Sequence, residues 1–377
     1  MSTGMTPWRR LALSAATLAL TTVGIMQVPA PAAASTSTMD AGVAVFDRTT
    51  GRFTHRSQAT KQFRSASLVK LLIALDLTWD RQPSDEDRAL VDSMLRSSDD
   101  AAASEFWDRN GGELIVDRMV ARLDLRNTTP PPEDYGWGST GVSAEDLVRV
   151  YRYVLDDAPA RVRSLVMGNL SQATTCGTDG FDQSFGIRSA FTNPTAVKQG
   201  WVLFGSAPRD TCVDAAAART AGGTHEQEVD YTSGALHTTG TVGAGHRTIV
   251  VALSTHRPGT SYAQAGYALT NLVRGLPVHG ARLAPPLPQP ESGTFFGTWG
   301  DDVAVYATTS LSSPQTGTVP SWQEVRVACQ VQGELVDIDG LVNDWWTYLP
   351  EVGGYMPNIF FEWWDNQLPS DVVPLCS

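Results

Sequence analysis

Ser67 and Lys70 stand three residues apart in the run Phe63-Arg-Ser-Ala-Ser67-Leu-Val-Lys70-Leu-Leu-Ile-Ala-Leu75. Residues at that spacing share a helix face, so a helix beginning near Ser67 puts the Lys70 amine beside the Ser67 hydroxyl. That is a nucleophile next to a base, the pairing that acyl transfer needs. Lysine usage sharpens the signal, because of 28 Lys and Arg residues only Lys61, Lys70 and Lys198 are Lys. Arg keeps its proton in a protein, whereas a buried Lys can release it. An amine at position 70 is therefore a chemical choice.

An acyl-transfer site also needs a proton donor for the leaving group and fixed donors for the developing oxyanion. Ser98, in Arg96-Ser-Ser98-Asp-Asp100, is a candidate proton relay on a turn between helices. Lys198-Gln-Gly200-Trp201 offers a fixed cation for a substrate anion, followed by a glycine that lets a substrate backbone come close. His237 and His246 have no metal-ligand partner at useful spacing and read as strand-end polar residues. No metal or cofactor is called for. Arg247 reads as a solvated strand-start residue rather than a helper of Lys198.

The elements that must position these groups follow in order. Asp40–Asp47 alternates like a strand, Arg48-Thr-Thr-Gly51 is a turn, and Arg52–Arg56 begins a second strand. Leu68, Leu71, Leu72 and Leu75 then recur at helical spacing, with Ser67 near the helix start, where unpaired N–H groups favour negative charge. Ser84 caps a helix through Leu95, helices follow over 101–107 and 113–123, and Ser143 caps another. Strands over 195–202, 234–242 and 247–254 and a helix from Tyr262 to Leu272 complete an antiparallel sheet flanked by helices, an α+β fold.

Residues 1–34 read as a signal peptide: Trp8-Arg-Arg10, an apolar run from Leu11 to Met26, then small residues at Ala32 and Ala34. The chain is expected to be secreted, without a stable membrane anchor, since no Cys lies near the cleavage site. In an exported chain Cys176, Cys212, Cys329 and Cys376 are expected to form disulfides. Three connectivities are possible; Cys176 with Cys212 and Cys329 with Cys376 keeps each bridge inside one domain.

The expected domains are 35–276, a Pro-rich linker over 277–291 and a module over 292–377. That module carries one cation, Arg326, against 11 acids, and six of the 11 Trp. Such charge repels nucleic acid, which is excluded as a partner. Its short strand-like pieces with one disulfide read as a small all-β barrel.

Ser67-Leu-Val-Lys70, Ser98-Asp-Asp100 and Lys198-Gln-Gly200 resemble, in order and architecture, the three motifs of penicillin-recognising serine enzymes such as class A β-lactamases. The resemblance spans about residues 40–275. It implies a β-lactamase-like fold in which Ser67 is acylated, Lys70 activates it and Ser98 relays a proton. Lys198 would steer a substrate carboxylate, and the backbone N–H groups of Ser67 and Trp201 would form the oxyanion hole.

The departures are chemical. The second motif ends in Asn in that family, where its amide donates to the substrate's acyl-amide carbonyl; an ionised Asp100 can only accept. Gln199 replaces a hydroxyl residue. Ser98 follows Ser67 closely, so a wall of the groove is expected to be missing. After Arg122-Leu-Asp124 the family has a Glu that activates the deacylating water, and Asn127 stands there. Glu133 and Asp134 have no spacing that makes either a substitute, and Glu133 reads as a solvated loop residue.

The tail resembles a bacterial SH3-like domain, with Val303–Tyr306 opening it and Gly354–Ile359 closing it, which implies a cell-wall peptide ligand. Trp345, Trp346, Trp363 and Trp364 fit either that ligand site or the filling of a small barrel. The sequence thus points to a secreted serine hydrolase or acyltransferase acting on β-lactams or peptidoglycan-derived D-alanyl peptides. The alternative is a catalytically impaired cell-wall binding protein that keeps the fold.

Overall fold

Residue alternation along the central strands splits the interior into two cores. On β1 (Met39–Asp47), Ala44 and Phe46 enter one hydrophobic cluster while Val43 and Val45 enter the other. Side chains on a strand point to opposite faces in turn, so a strand apolar at every position is covered on both sides. The computed structural model describes residues 39–204, 212, 229–320 and 323–377. The expected signal peptide over 1–34 lies outside the described residues.

After β1 come β2 (Arg52–Ser57), β3 (Gln62–Arg64), a 3-10 turn at Ala66–Val69 and α1 (Lys70–Thr78). Next are α2 (Asp85–Arg96), α3 (Asp100–Arg109), α4 (Leu114–Leu123), β4 (Gly141–Ser143), α5 (Ala144–Arg152) and α6 (Ala160–Leu170). A short α7 (Ile187–Ala190) leads to β5 (Pro194–Val202), β6 (Gly234–Val242), β7 (Thr248–His256) and α8 (Tyr262–Arg274). The main sheet runs β2-β1-β7-β6-β5, antiparallel throughout. One core joins its face to α1–α6, the other to α7 and α8. This is the expected α+β architecture, and α6 and α7 are additions to it.

Helix α1 is buried nearly all round, more than its expected single stripe requires: Leu71, Leu72, Ile73, Leu75 and Leu77 are each at most 1% exposed, as is Leu68 in the turn before it. A helix apolar on every side belongs inside a domain. Its one acid, Asp76, is gripped by Arg118 at 2.8 and 2.6 Å and by Arg122 at 3.0 Å. The 3-10 turn bearing Ser67 thus leads directly into a helix buried on all sides.

The tail comprises β8 (Thr294–Gly297), β9 (Val303–Tyr306), β10 (Gln315–Val319), β11 (Glu324–Val327), β12 (Cys329–Ile338), β13 (Leu341–Leu349) and β14 (Gly354–Pro357). These make a five-stranded sheet, β10-β9-β14-β13-β12, and a separate β11-β8 pair; the described ladders do not close into the expected barrel. The β12–β13 hairpin turns on Asp339 (φ 52°) and Gly340 (φ 87°), the conformations that an Asp-Gly pair supplies. The tail packs against the N-terminus of α8: Glu324 Oε1 accepts from Tyr262 N–H at 2.8 Å, Phe295 N–H donates to Gly259 O at 2.9 Å, and Arg257 pairs with Asp371. A carboxylate there complements the helix dipole.

Cys176–Cys212 and Cys329–Cys376 are both bonded, the pairing that keeps each bridge local. Of the tail tryptophans, Trp346 is fully buried with its indole N–H donating to Glu334 O at 2.8 Å, whereas Trp364 is 57% exposed. Trp346 fills the module. Trp346→Ala is expected to destabilise the tail by about 3–5 kcal/mol, measured as a lowered urea midpoint followed by tryptophan fluorescence.

Candidate active site

Four elements converge on one buried cluster. The 3-10 turn at Ala66–Val69 presents Ser67, α1 begins with Lys70, the turn between α2 and α3 presents Ser98, and β5 presents Lys198. Lys70 Nζ donates to Ser67 Oγ at 2.9 Å and to Ser98 O at 2.5 Å, and lies 3.4 Å from Ser98 Oγ. Lys198 Nζ donates to Ser98 Oγ at 2.7 Å and to Gln199 O at 3.0 Å. Two amines from distant parts of the chain thus meet on one serine.

The local backbone is shaped for this. Ala66 and Ser98 hold left-handed φ angles of 44° and 59°, sparsely populated for residues with a Cβ. At Ser98 that turn throws the carbonyl and the hydroxyl toward the amines, while Asp99 caps α3 by accepting from Ala101 and Ala102 N–H. Gly200 lies against the 3-10 turn bearing Ser67: a Cβ there would stand 3.2 Å from Ser65 O and from Leu68 Cγ and 3.4 Å from Ser67 N, so a side chain would crowd that turn.

Burial sets the electrostatics. Lys70 is 0% and Lys198 1% exposed. Desolvation pushes the Lys70 amine down from its ordinary range, and the Asp100 carboxylate, 2.5 Å away, pulls it back up. Lys198 is held well below its ordinary range by burial and then by the neighbouring Lys70 charge. Lys198 is therefore enclosed beneath Ser98, and its immediate partner is that hydroxyl.

The remaining expected residues fall on both sides of the cluster. Asp100 opens α3, with 67% of its side chain exposed. The Trp201 indole stacks on Phe181, centroids 4.7 Å apart, and donates to Asp179 Oδ2 at 2.9 Å. Gln199 points away: its amide donates to Phe185 O at 2.7 Å and Gln183 O at 3.2 Å, bracing the segment before α7. Asn127 lies on a loop whose N–H groups and Thr128 hydroxyl bind the buried Asp146 carboxylate. Glu133 and Asp134 are exposed. Arg247 pairs with Asp47, outside the cluster. Among the described residues, Asp100 is the one carboxylate hydrogen-bonded to Ser67 or Lys70, and no group of three or more His, Cys, Asp or Glu is arranged for a metal.

Three contributors were not anticipated. Trp137 covers Lys70, its ring centroid 4.7 Å from Nζ, and donates to Ser104 Oγ at 3.1 Å. Its signal was an aromatic in a Gly-rich loop, where exposed function concentrates. Asp179, on the loop tied down by Cys176–Cys212, accepts from the Trp201 indole and adds negative charge near Lys70 and Lys198. His237 is fully buried: Nδ1 accepts from Ser254 N–H at 3.0 Å, so Nε2 carries the proton and donates to Arg64 O at 2.8 Å. It stands inside β6 rather than at a strand end as expected, and ties that strand to β3, which leads into the 3-10 turn bearing Ser67.

No known family profile matches the chain. A stretch of 187 residues, 47% of this chain, is 39% identical to the proteins named "Putative lipoprotein LppW" of Mycobacterium tuberculosis and Mycobacterium bovis, and spans 58% of their length. Among solved structures, a class A β-lactamase from Mycobacterium abscessus aligns with 62% of this chain and 91% of its own at 18% identity, TM-score 0.44. A PBP-A mutant in acyl-enzyme complex with penicillin G aligns with 63% of this chain and 89% of its own at 15% identity, TM-score 0.45. The β-lactamase of Streptomyces albus G aligns with 63% and 92% at 18% identity, TM-score 0.42.

Burial lowers His237 from 6.5 to about 4. The unfolded chain then takes up a proton that the folded one refuses, so stability is full above pH 6.5 and is lost as pH falls toward 4, by about 3 kcal/mol. His256, lowered to about 3 by burial and by His237, acts in the same direction. Urea midpoints are expected to fall between pH 7 and pH 4.5, and His237→Gln to show a lower midpoint at pH 7 with a shallower pH slope.

Proposed function

We propose that this protein is an exported serine acyl-transfer enzyme that forms an acyl-enzyme at Ser67 with β-lactams or D-alanyl wall peptides. The observation that carries the reading is the continuous hydrogen-bonded path Ser67–Lys70–Ser98–Lys198 within a buried cleft. In this reading neutral Lys70 takes the Ser67 proton as Oγ attacks the acyl carbonyl. Ser98, oriented by Lys198, delivers a proton to the leaving group, and the Ser67 and Trp201 amides receive the oxyanion. Residues 35–276 form the acyl-transfer domain, 277–291 the connection, and 292–377 an SH3-like module that holds wall peptide. Two disulfides support an oxidising compartment outside the cytoplasm. No helix among the described residues is long and apolar enough to cross a membrane.

Turnover is the weak step. With Asn127 where a water-activating Glu stands in the enzymes this chain resembles, the acyl-enzyme has no placed base to release it. The Lys70–Asp100 ion pair favours a second reading, a binding protein that keeps the fold and has lost efficient acylation.

Fluorescent penicillin separates the two. The enzyme reading expects a stable adduct, visible by gel and by intact mass, absent in Ser67→Ala and formed about 10²–10⁴-fold more slowly in Lys70→Ala. No adduct, together with no hydrolysis of an acyl-D-Ala-D-Ala peptide, would establish the binding protein instead.

A further inference from the structure

Asp100 places a carboxylate at the open edge of the cleft, two hydrogen-bond lengths from the Ser67 oxygen by way of Lys70. Only Oδ1 is engaged; among the described residues Oδ2 has no hydrogen-bond partner, and the side chain is 67% exposed. A carboxylate accepts and cannot donate. The nitrogen on the α-carbon of an acyl donor is two bonds from the carbonyl carbon that Ser67 would attack, so it enters the neighbourhood of the carboxylate that shares Lys70 with Ser67. If that nitrogen is acylated, its carbonyl oxygen meets a like partial charge on Asp100. If it is a free ammonium, it meets an acceptor of opposite charge. Asp179, on the facing wall beside Trp201, adds negative potential to the same cleft.

We infer that the preferred acyl donors are aminoacyl esters or amides with a free α-ammonium, which Asp100 recognises. This rests on the acyl-transfer reading of Ser67 and narrows its substrate class. The ammonium has a second effect. By drawing on the Asp100 charge it withdraws the contact that keeps a proton on Lys70, so the correct substrate favours the free base. The step then balances: the Ser67 Oγ–carbonyl bond forms and the bond to the leaving group breaks. The hydroxyl proton passes to Lys70, and Ser98 gives a proton to the departing nitrogen or oxygen and is resupplied by Lys198 or Lys70.

D-alanyl p-nitroanilide and N-acetyl-D-alanyl p-nitroanilide test this on the full chain, by nitroaniline release and by intact mass at Ser67. Wild type is expected to favour the free amine by about ten-fold or more, the discrimination of one charge-assisted hydrogen bond. Asp100→Asn is expected to lose or reverse that preference, a change that a merely structural role for Asp100 would not produce. Equal rates, a preference for the N-acetyl donor in wild type, or a preference unchanged in Asp100→Asn overturns the inference. Labelling by fluorescent penicillin with reaction of neither anilide overturns it while leaving the acyl-transfer reading in place. No labelling by any of the three removes both.

Discussion

Two lysine side chains buried to within 1% of full enclosure share one serine, and the rest of the domain is arranged to permit it. A buried ammonium costs several kcal/mol unless its donors are all met, and a second one beside it adds repulsion. The acceptors are supplied from every direction: Ser67 Oγ from the 3-10 turn, Ser98 O and Oγ from the turn between α2 and α3, Gln199 O from β5, and Asp100 from the start of α3. They come from three separate stretches, 66–70, 98–100 and β5, so the cluster exists only when the sheet and the helices are docked. The left-handed backbone at Ala66 and Ser98 is held in place by that docking.

Asp100 changes the charge balance of this arrangement. Burial favours a neutral Lys70, and a carboxylate at 2.5 Å favours an ammonium. Burial is the larger effect, yet the ion pair stands between the resting site and the free amine that a base must be. A neutral amide at this position would leave Lys70 to burial alone, whereas the carboxylate couples the charge state of Lys70 to whatever else Asp100 binds.

Much of this could be read from particular residues. Ser67 and Lys70 met because an i, i+3 spacing at the head of an apolar run admits little else. Ser98 fell on its turn because Ser97, Ser98 and Asp99 stop one helix and cap the next. The sheet followed from the apolar runs Gly42–Phe46 on β1 and Ile249–Leu253 on β7, which are buried on both faces rather than alternating. Helix α6 escaped because its sequence, Ala160-Arg-Val-Arg-Ser-Leu-Val-Met-Gly-Asn-Leu170, has little one-sided patterning and begins after a proline without a side-chain cap. The β12–β13 hairpin was missed although Asp339-Gly340 is a strong local turn signal. Trp137, Asp179 and His237 were beyond reach for another reason: each acts through a partner far away in sequence, and pairwise spacing carries no record of such contacts.

His237 shows how far the site's support extends. It joins β6 to the backbone of Arg64 and to Ser254 on β7, and Arg64 belongs to β3, which leads into the turn bearing Ser67. Arg64 itself reaches across to the carbonyl of Tyr231 at 3.0 Å, and the Tyr231 hydroxyl donates to Ser139 O, beside Trp137. The wall over Lys70 and the turn bearing Ser67 are thus tied to the same pair of strands. A neutral imidazole with one donor and one acceptor fits this position. Protonation would convert the acceptor nitrogen that faces Ser254 N–H into a donor facing a donor, breaking the tie at its centre.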